Sequence, residues 1–295
     1  MTPMKTVGMI GIGLMGQGIA RNVQKHGFPL VILDHPGNQP TDDLVSGGAR
    51  VCQTGADVAR HANAIILCVT GAPQVEAVLT GAGGVLEGLQ PGTVVIDCST
   101  SLPRTSEQMA VAVQAAGGTF IDAAMTRLPK HAQEGTLNLL VGGDKAVLDD
   151  VRALLESFSE NITHVGPVGS GHLMKLLHNY VSMGFLALLS EVSAHAHHAG
   201  LDMATLIDVL AKGGGGGVAL DRISPFLLTG DSSNVAFALS NACKDLTYYT
   251  QTATEAGVHR EIAEAVTKTL QSAVDSGHGS NYIPELAGVL RTLPS

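Results

Sequence analysis

The stretch Val7–Asn22, V-G-M-I-G-I-G-L-M-G-Q-G-I-A-R-N, limits the fold of this chain more than any other. Apolar residues Val7, Met9 and Ile10 run into a glycine turn, Gly11-x-Gly13-x-x-Gly16, which leaves as a helix through Ile19, Ala20 and Val23. In such a turn the first glycine permits the tight bend, the second admits close approach of a phosphate to backbone, and the third lets helix and strand pack. The helix N-terminus adds unpaired N–H groups and a partial positive charge suited to a pyrophosphate. Glycine triplets are common in a chain with 36 glycines, so the motif gains its meaning from the strand before it and the helix after it.

A second strand, Pro29–Leu33, ends at Asp34, 21 residues beyond Gly13. An acidic side chain there accepts hydrogen bonds from ribose hydroxyls and repels a 2′-phosphate, which points to NAD rather than NADP. The competing reading is that Asp34 merely begins the turn His35-Pro36-Gly37. Continuous apolar runs at Ala64–Val69 and Thr93–Asp97, with further strand patterns at Thr119–Asp122, Leu137–Val141 and Asn161–Val165, alternate with helical patterns such as Pro103–Ala116 and Lys145–Phe158. That alternation predicts an α/β fold, an N-terminal Rossmann-type doubly wound sheet. After Gly166 strand patterns cease, and Leu173–Ala199 reads as one helix of roughly 40 Å. Residues 1–165 are expected to form the dinucleotide-binding domain, and 166–295 an all-α C-terminal domain for substrate and oligomerisation. Gly213–Gly217 reads either as a plain connector or as a mobile substrate-side loop.

The 295 residues suffice for two cores, and 45 % hydrophobic content argues against disorder. A net charge of −9 argues against nucleic-acid binding. No signal-like segment precedes the first strand, and Val181–Leu189 is too short to span a bilayer. Cys52, Cys68, Cys98 and Cys243 form no C-x-x-C pair, consistent with a reducing cytoplasm.

Lys175, His178 and Asn179 lie at i, i+3 and i+4 near the start of the long helix, so they share a face. A lysine at the junction of a dinucleotide domain and a helical domain can exchange a proton with a substrate oxygen, and Asn179 can donate to the same substrate. The alternative is a snorkelling surface lysine. His195, His197 and His198, with Glu191 a turn earlier, lack a metalloprotein spacing, so no metal is expected.

Four motifs make the chain resemble the β-hydroxyacid dehydrogenase family. They are Ile10–Asn22; Asp122-Ala-Ala-Met-Thr-Arg-Leu128, where the family has a D-A-P-V-S-G-G substrate loop; Gly169-Ser-Gly-His-Leu-Met-Lys175-Leu-Leu-His178-Asn179, matching G-x-G-x-x-x-K-x-x-N-N; and Lys244-Asp245-Leu246, matching K-D-L. The resemblance implies an NAD-dependent dehydrogenase or reductase with Lys175 as acid/base. It implies a substrate set of Ser99, Thr126, Arg127, His178 and Asn179. It also implies a cofactor set of Gly11, Ile12, Gly13, Leu14, Met15, Gly16, Asp34, Val69, Thr70, Thr100 and Lys244.

Two departures bear on substrate. His178 replaces the first asparagine, as in 6-phosphogluconate dehydrogenases, but Ser182 stands where those carry an acidic residue, which argues against decarboxylation. Thr126-Arg127-Leu128 replaces S-G-G, and an arginine at this loop position, with a tyrosine directly after K-x-x-N-N as Tyr180 is here, is similar to sulfolactaldehyde reductases within the family. Arg127 is therefore expected to hold the carboxylate, phosphate or sulfonate of a small anionic substrate, unless it is only a surface arginine. The 3-hydroxyisobutyrate and tartronate semialdehyde types remain alternatives, as does a non-catalytic dinucleotide sensor. A homodimer or homotetramer is expected from the apolar long helix and from the resemblance.

Overall fold

The computed structural model describes residues 6–293. The chain divides between Lys175 and Leu176 into two compact units. The first is built on eight strands: β1 (Val7–Ile10), β2 (Leu30–Leu33), β3 (Arg50–Cys52), β4 (Ala64–Leu67), β5 (Val94–Asp97), β6 (Thr119–Thr126), β7 (Leu137–Gly142) and β8 (Ser159–Gly166). They lie in the order β3-β2-β1-β4-β5-β6-β7-β8, parallel throughout except for the antiparallel pair β6/β7. The chain builds outward from β1 to β3, then returns to β4 on the other side. The order therefore reverses between β1 and β4, the point at which open sheets of this kind bind ligands beyond their strand ends.

Both faces of this sheet are covered. Met9, Ile32, Ile66, Ile96 and Ile121 point into one core, and Ile10, Val31, Ile65, Val95 and Phe120 into the other. Alternate residues of a strand face opposite ways, so a sheet buried on both sides needs continuous apolar runs. That is why β4 and β5 read so clearly in the sequence. β3 does not: its three residues include exposed Arg50 and Val51, and it pairs only at an edge. β6 is longer than its apolar run suggests, because Ala123–Thr126 continue the strand as the antiparallel partner of β7. The stretch aligned with a substrate loop is thus mostly strand, and only Arg127 and Leu128 form the turn that follows.

The second unit is helical. The helix Ser170–His198, 29 residues and about 44 Å long, runs into it from the first unit. Helices Met203–Lys212, Val218–Thr229, Leu239–Glu255 and Glu261–Ala273 follow. Met183, Leu186, Leu220, Ile223, Leu239, Leu246, Leu270 and Leu286 make its core. The Val218–Thr229 helix is not evident from sequence, since it contains Pro225 and starts at the glycine run. Gly213–Gly217 joins two helices, and Gly217 (φ 132°) precedes the second. Along the long helix Val181, Phe185, Leu188 and Val192 stay exposed in helical register. Among the described residues no helix is long and apolar enough to cross a membrane.

Candidate active site

The glycine turn between β1 and the Leu14–Lys25 helix assigns a different task to each glycine. Gly11 has φ 93°, and a Cβ there would sit 2.3 Å from the Cys68 carbonyl oxygen. A Cβ on Gly16 would lie 1.9 Å from the Gly11 carbonyl oxygen, so its absence lets the helix fold back on the strand. Gly13 is different: no atom of the chain comes within 4 Å of a Cβ built there, and its backbone is ordinary extended chain. Packing does not demand this glycine; an outside group approaching the backbone would. No side chain caps the Leu14–Lys25 helix and its first turn holds no acidic residue, which suits an anion. The turn therefore fits the pyrophosphate of a dinucleotide. Ile12 buries its side chain in the core, donates its N–H to Asn38 Oδ1 at 3.3 Å, and gives its carbonyl to the Gln39 N–H at 2.6 Å. Leu14 is exposed and Met15 partly so.

The other candidates of this unit cluster at the same end of the sheet. Asp34 stands exposed just beyond β2 and accepts from Gln53 Nε2 at 3.3 Å. Ser99 is buried past β5, and its Oγ accepts the Val69 N–H at 3.0 Å, tying the ends of β4 and β5 together. Thr70 and Thr100 follow these positions with more exposure. Burial pushes the Cys98 thiol well above its usual range and the partly buried Cys68 thiol up to about 12, so neither carries appreciable thiolate near neutral pH.

Lys175 owes its place to the way its helix begins. Asp122, fully buried on β6, accepts from the Gly169 N–H at 2.7 Å and the His172 N–H at 2.8 Å. A carboxylate supplied from 50 residues away thus satisfies two orphan donors of the helix and opposes its positive end. The motif glycines permit this approach. Gly169 has φ 89°, and a Cβ on Gly171 would strike the Leu140 carbonyl oxygen at 2.4 Å. Lys175 lies one turn further on, with 8 % of its surface exposed.

Thr126 is buried, and its Oγ1 accepts from Asn138 Nδ2 at 3.2 Å. Arg127, with φ 79°, is the one non-glycine residue of the described chain in the left-handed region. Its guanidinium donates to the Thr136 carbonyl at 2.5 Å and pairs with Glu160. In the second unit, buried Asn179 donates to Asp245 Oδ2 at 2.6 Å while His178 Nδ1 lies 3.0 Å from Asn179 Oδ1. Lys244 Nζ meets Asp245 Oδ1 at 2.7 Å and sits 4.9 Å from the Tyr248 ring centre. Tyr180 stacks on Tyr249.

Sequence reasoning missed Asp97, Ser106, His172 and the structural part played by Asp122 and Asp245. Asp122 at the head of its motif, the aspartate inside K-D-L and the histidine inside the lysine motif gave a signal only as motif positions, without a role. Among the described residues no three His, Cys, Asp or Glu side chains converge as metal ligands.

Residues 6–166 match the NAD binding domain of 6-phosphogluconate dehydrogenase, and residues 169–290 match the NAD-binding domain of NADP-dependent 3-hydroxyisobutyrate dehydrogenase. The chain is 30 % identical over 223 residues to an NAD-dependent L-serine dehydrogenase of Pseudomonas aeruginosa, covering 76 % of this chain and 74 % of that one. It is 28 % identical over 274 residues to the 2-(hydroxymethyl)glutarate dehydrogenase of Eubacterium barkeri, covering 92 % of this chain and 90 % of the other. In fold it superimposes on Mycobacterium tuberculosis 3-hydroxyisobutyrate dehydrogenase, solved with L-serine, with a TM-score of 0.87 and 23 % identity over 98 % of this chain and 100 % of that one.

Proposed function

This chain belongs to the β-hydroxyacid dehydrogenase family and is an NAD-binding dehydrogenase of that type, and we propose that it interconverts a small anionic hydroxy acid and its aldehyde or ketone with Lys175 as the proton carrier. The observation that carries this reading is the burial of Lys175. A helical lysine ordinarily extends its ammonium into water, whereas this one is 8 % exposed on a helix whose first turn is fixed to β6.

NAD, when bound, supplies the hydride acceptor or donor. The glycine turn would hold its pyrophosphate, and Asp34 its ribose in preference to a 2′-phosphate. Lys175 Nζ takes the hydroxyl proton in oxidation and returns it to the oxygen in reduction. Asn179, its amide oriented by Asp245, hydrogen-bonds the substrate. L-Serine, 3-hydroxyisobutyrate and 2-(hydroxymethyl)glutarate share a primary alcohol two bonds from a carboxylated carbon, so 2-substituted 3-hydroxypropanoates are the first substrates to test. A second reading, a sulfonated aldehyde, is favoured by Arg127 at the turn after β6. Neutralising Glu160 by pairing with an anion-binding arginine is compatible with either, since the guanidinium fork has donors to spare.

The test is an NAD-linked screen across carboxylated, sulfonated and phosphorylated short hydroxy compounds, with Arg127→Ala alongside. The variant should raise KM for anionic substrates far more than for neutral analogues; equal effects on both remove Arg127 from the site. A second copy of the chain would cover the exposed apolar residues of the long helix, giving a homodimer or homotetramer. Light scattering that shows a monomer at micromolar concentration contradicts this.

A further inference from the structure

His172 lies three residues before Lys175 and is fully buried. Three parts of the first unit meet at this one side chain and its backbone. Its Nε2 lies 3.1 Å from the Ser99 carbonyl oxygen, beyond β5. Its Nδ1 lies 2.7 Å from Ser106 Oγ, on the helix Pro103–Ala115. Its backbone N–H is held by Asp122 on β6. A carbonyl oxygen only accepts, so Nε2 carries a proton and donates to Ser99, leaving Nδ1 to the Ser106 hydroxyl.

Two buried carboxylates flank the ring, Asp97 Oδ2 at 3.9 Å from Nε2 and Asp122 Oδ2 at 3.9 Å from Nδ1. Asp97 gives its other oxygen to the Ser99 N–H at 2.9 Å, while its Oδ2 has no hydrogen-bond partner. Ser99 is therefore gripped through its N–H by Asp97 and through its carbonyl by His172, with its hydroxyl on Val69. A histidine placed only to fill space would not be bonded at both ring nitrogens to two separate elements.

We propose that His172 is a positioning residue for the reaction: its Nε2–H fixes the first turn of the Lys175 helix against the Ser99 backbone, and so sets where the lysine ammonium sits relative to the substrate hydroxyl. Residues three apart on a helix share a face and differ by about 4.5 Å along the axis, so a ring held at 172 constrains the side chain at 175. The inference rests on the reading of Lys175 as proton carrier. Misplacing a reacting group by about 1 Å costs on the order of 100-fold in rate, which sets the size of the expected effect.

The test compares His172→Asn, His172→Gln, Ser106→Ala and Lys175→Met with the wild type, on the best substrate of the screen, alongside the cofactor Kd by NADH fluorescence titration. Asparagine reaches the Ser106 side but not Ser99; glutamine can extend an amide N–H to the Ser99 carbonyl. H172N should lower kcat by about 10- to 100-fold with Kd for NAD changed less than about twofold, and H172Q should recover most of the loss. S106A, which leaves the Ser99 bond in place but frees the ring, should lower kcat by about three- to tenfold. A purely structural role predicts instead that melting temperature and NAD affinity fall together with kcat, equally for Asn and Gln, and that result overturns the proposal. Wild-type kcat in H172N overturns it too, and wild-type kcat in S106A does so if H172N fails to fold. Full activity in K175M, or no NAD-linked turnover by the wild type, brings down the lysine reading and this inference with it. A dead K175M beside an unaffected H172N brings down this inference alone.

Discussion

Gly13 and Gly16 stand three residues apart in one motif, yet the structure predicts opposite consequences of adding a single methyl group to each. At Gly16 the new Cβ would lie 1.9 Å from the Gly11 carbonyl oxygen, so helix and strand must separate by about 1 Å or more. Such overpacking costs about 1–3 kcal/mol or more, a fall in melting temperature of about 3–10 °C for a unit of this size. At Gly13 the methyl meets nothing within 4 Å. Alanine is a poorer helix N-cap than glycine by about 0.5–1 kcal/mol, and the stiffer unfolded chain returns about 0.4–1 kcal/mol. The two nearly cancel, so Gly13→Ala should melt within about 3 °C of the wild type. Its NAD affinity should nevertheless fall at least about tenfold, the equivalent of about 1.4 kcal/mol, because the methyl occupies the path of the pyrophosphate. Differential scanning fluorimetry and NADH fluorescence titration read the two effects separately. A G13A protein that binds NAD like the wild type would refute the assignment of this turn to the cofactor.

Two further outcomes follow from buried groups. Asp122→Asn replaces one of two acceptors at the start of the Lys175 helix with a donor, at a cost of about 3–5 kcal/mol from lost charge-assisted bonds and a stranded N–H. Calorimetry should show a melting temperature lower by about 6–15 °C, and a shift under 2 °C would mean the carboxylate does not cap the helix. Because the Cys68 thiol is pushed up to about 12, only about one molecule in three thousand carries its thiolate at pH 8.5. Iodoacetamide at that pH should leave Cys68 and Cys98 unmodified in the folded protein and alkylate both in denaturant; rapid labelling without unfolding would contradict the raised thiol of Cys68 or the burial of Cys98.

Where the sequence was legible, the governing contacts were local or periodic. The glycine turn could be read because three glycines fall where a strand pattern becomes a helical one, and β4 and β5 because a sheet covered on both faces needs unbroken apolar runs. Lys175 and Asn179 shared a visible helix face. The grip on that helix could not be read, since Asp122 and His172 are 50 residues apart and only folding places the carboxylate on its N–H groups. β3 was too short and too exposed to show a pattern, and Pro225 disguised the helix that contains it. The left-handed backbone at Arg127 was equally invisible. Glycine suits that conformation and arginine does not, so the cost of about 1–2 kcal/mol is visible only in the backbone.

The most direct test of the account is the turnover of Lys175→Met, a side chain of similar length that carries no proton. Steady-state kinetics on the best substrate should show kcat reduced by about 10²- to 10⁴-fold, with the Kd for NAD unchanged. Turnover within a few-fold of the wild type would mean that the proton is handled elsewhere and that Lys175 is buried for another reason.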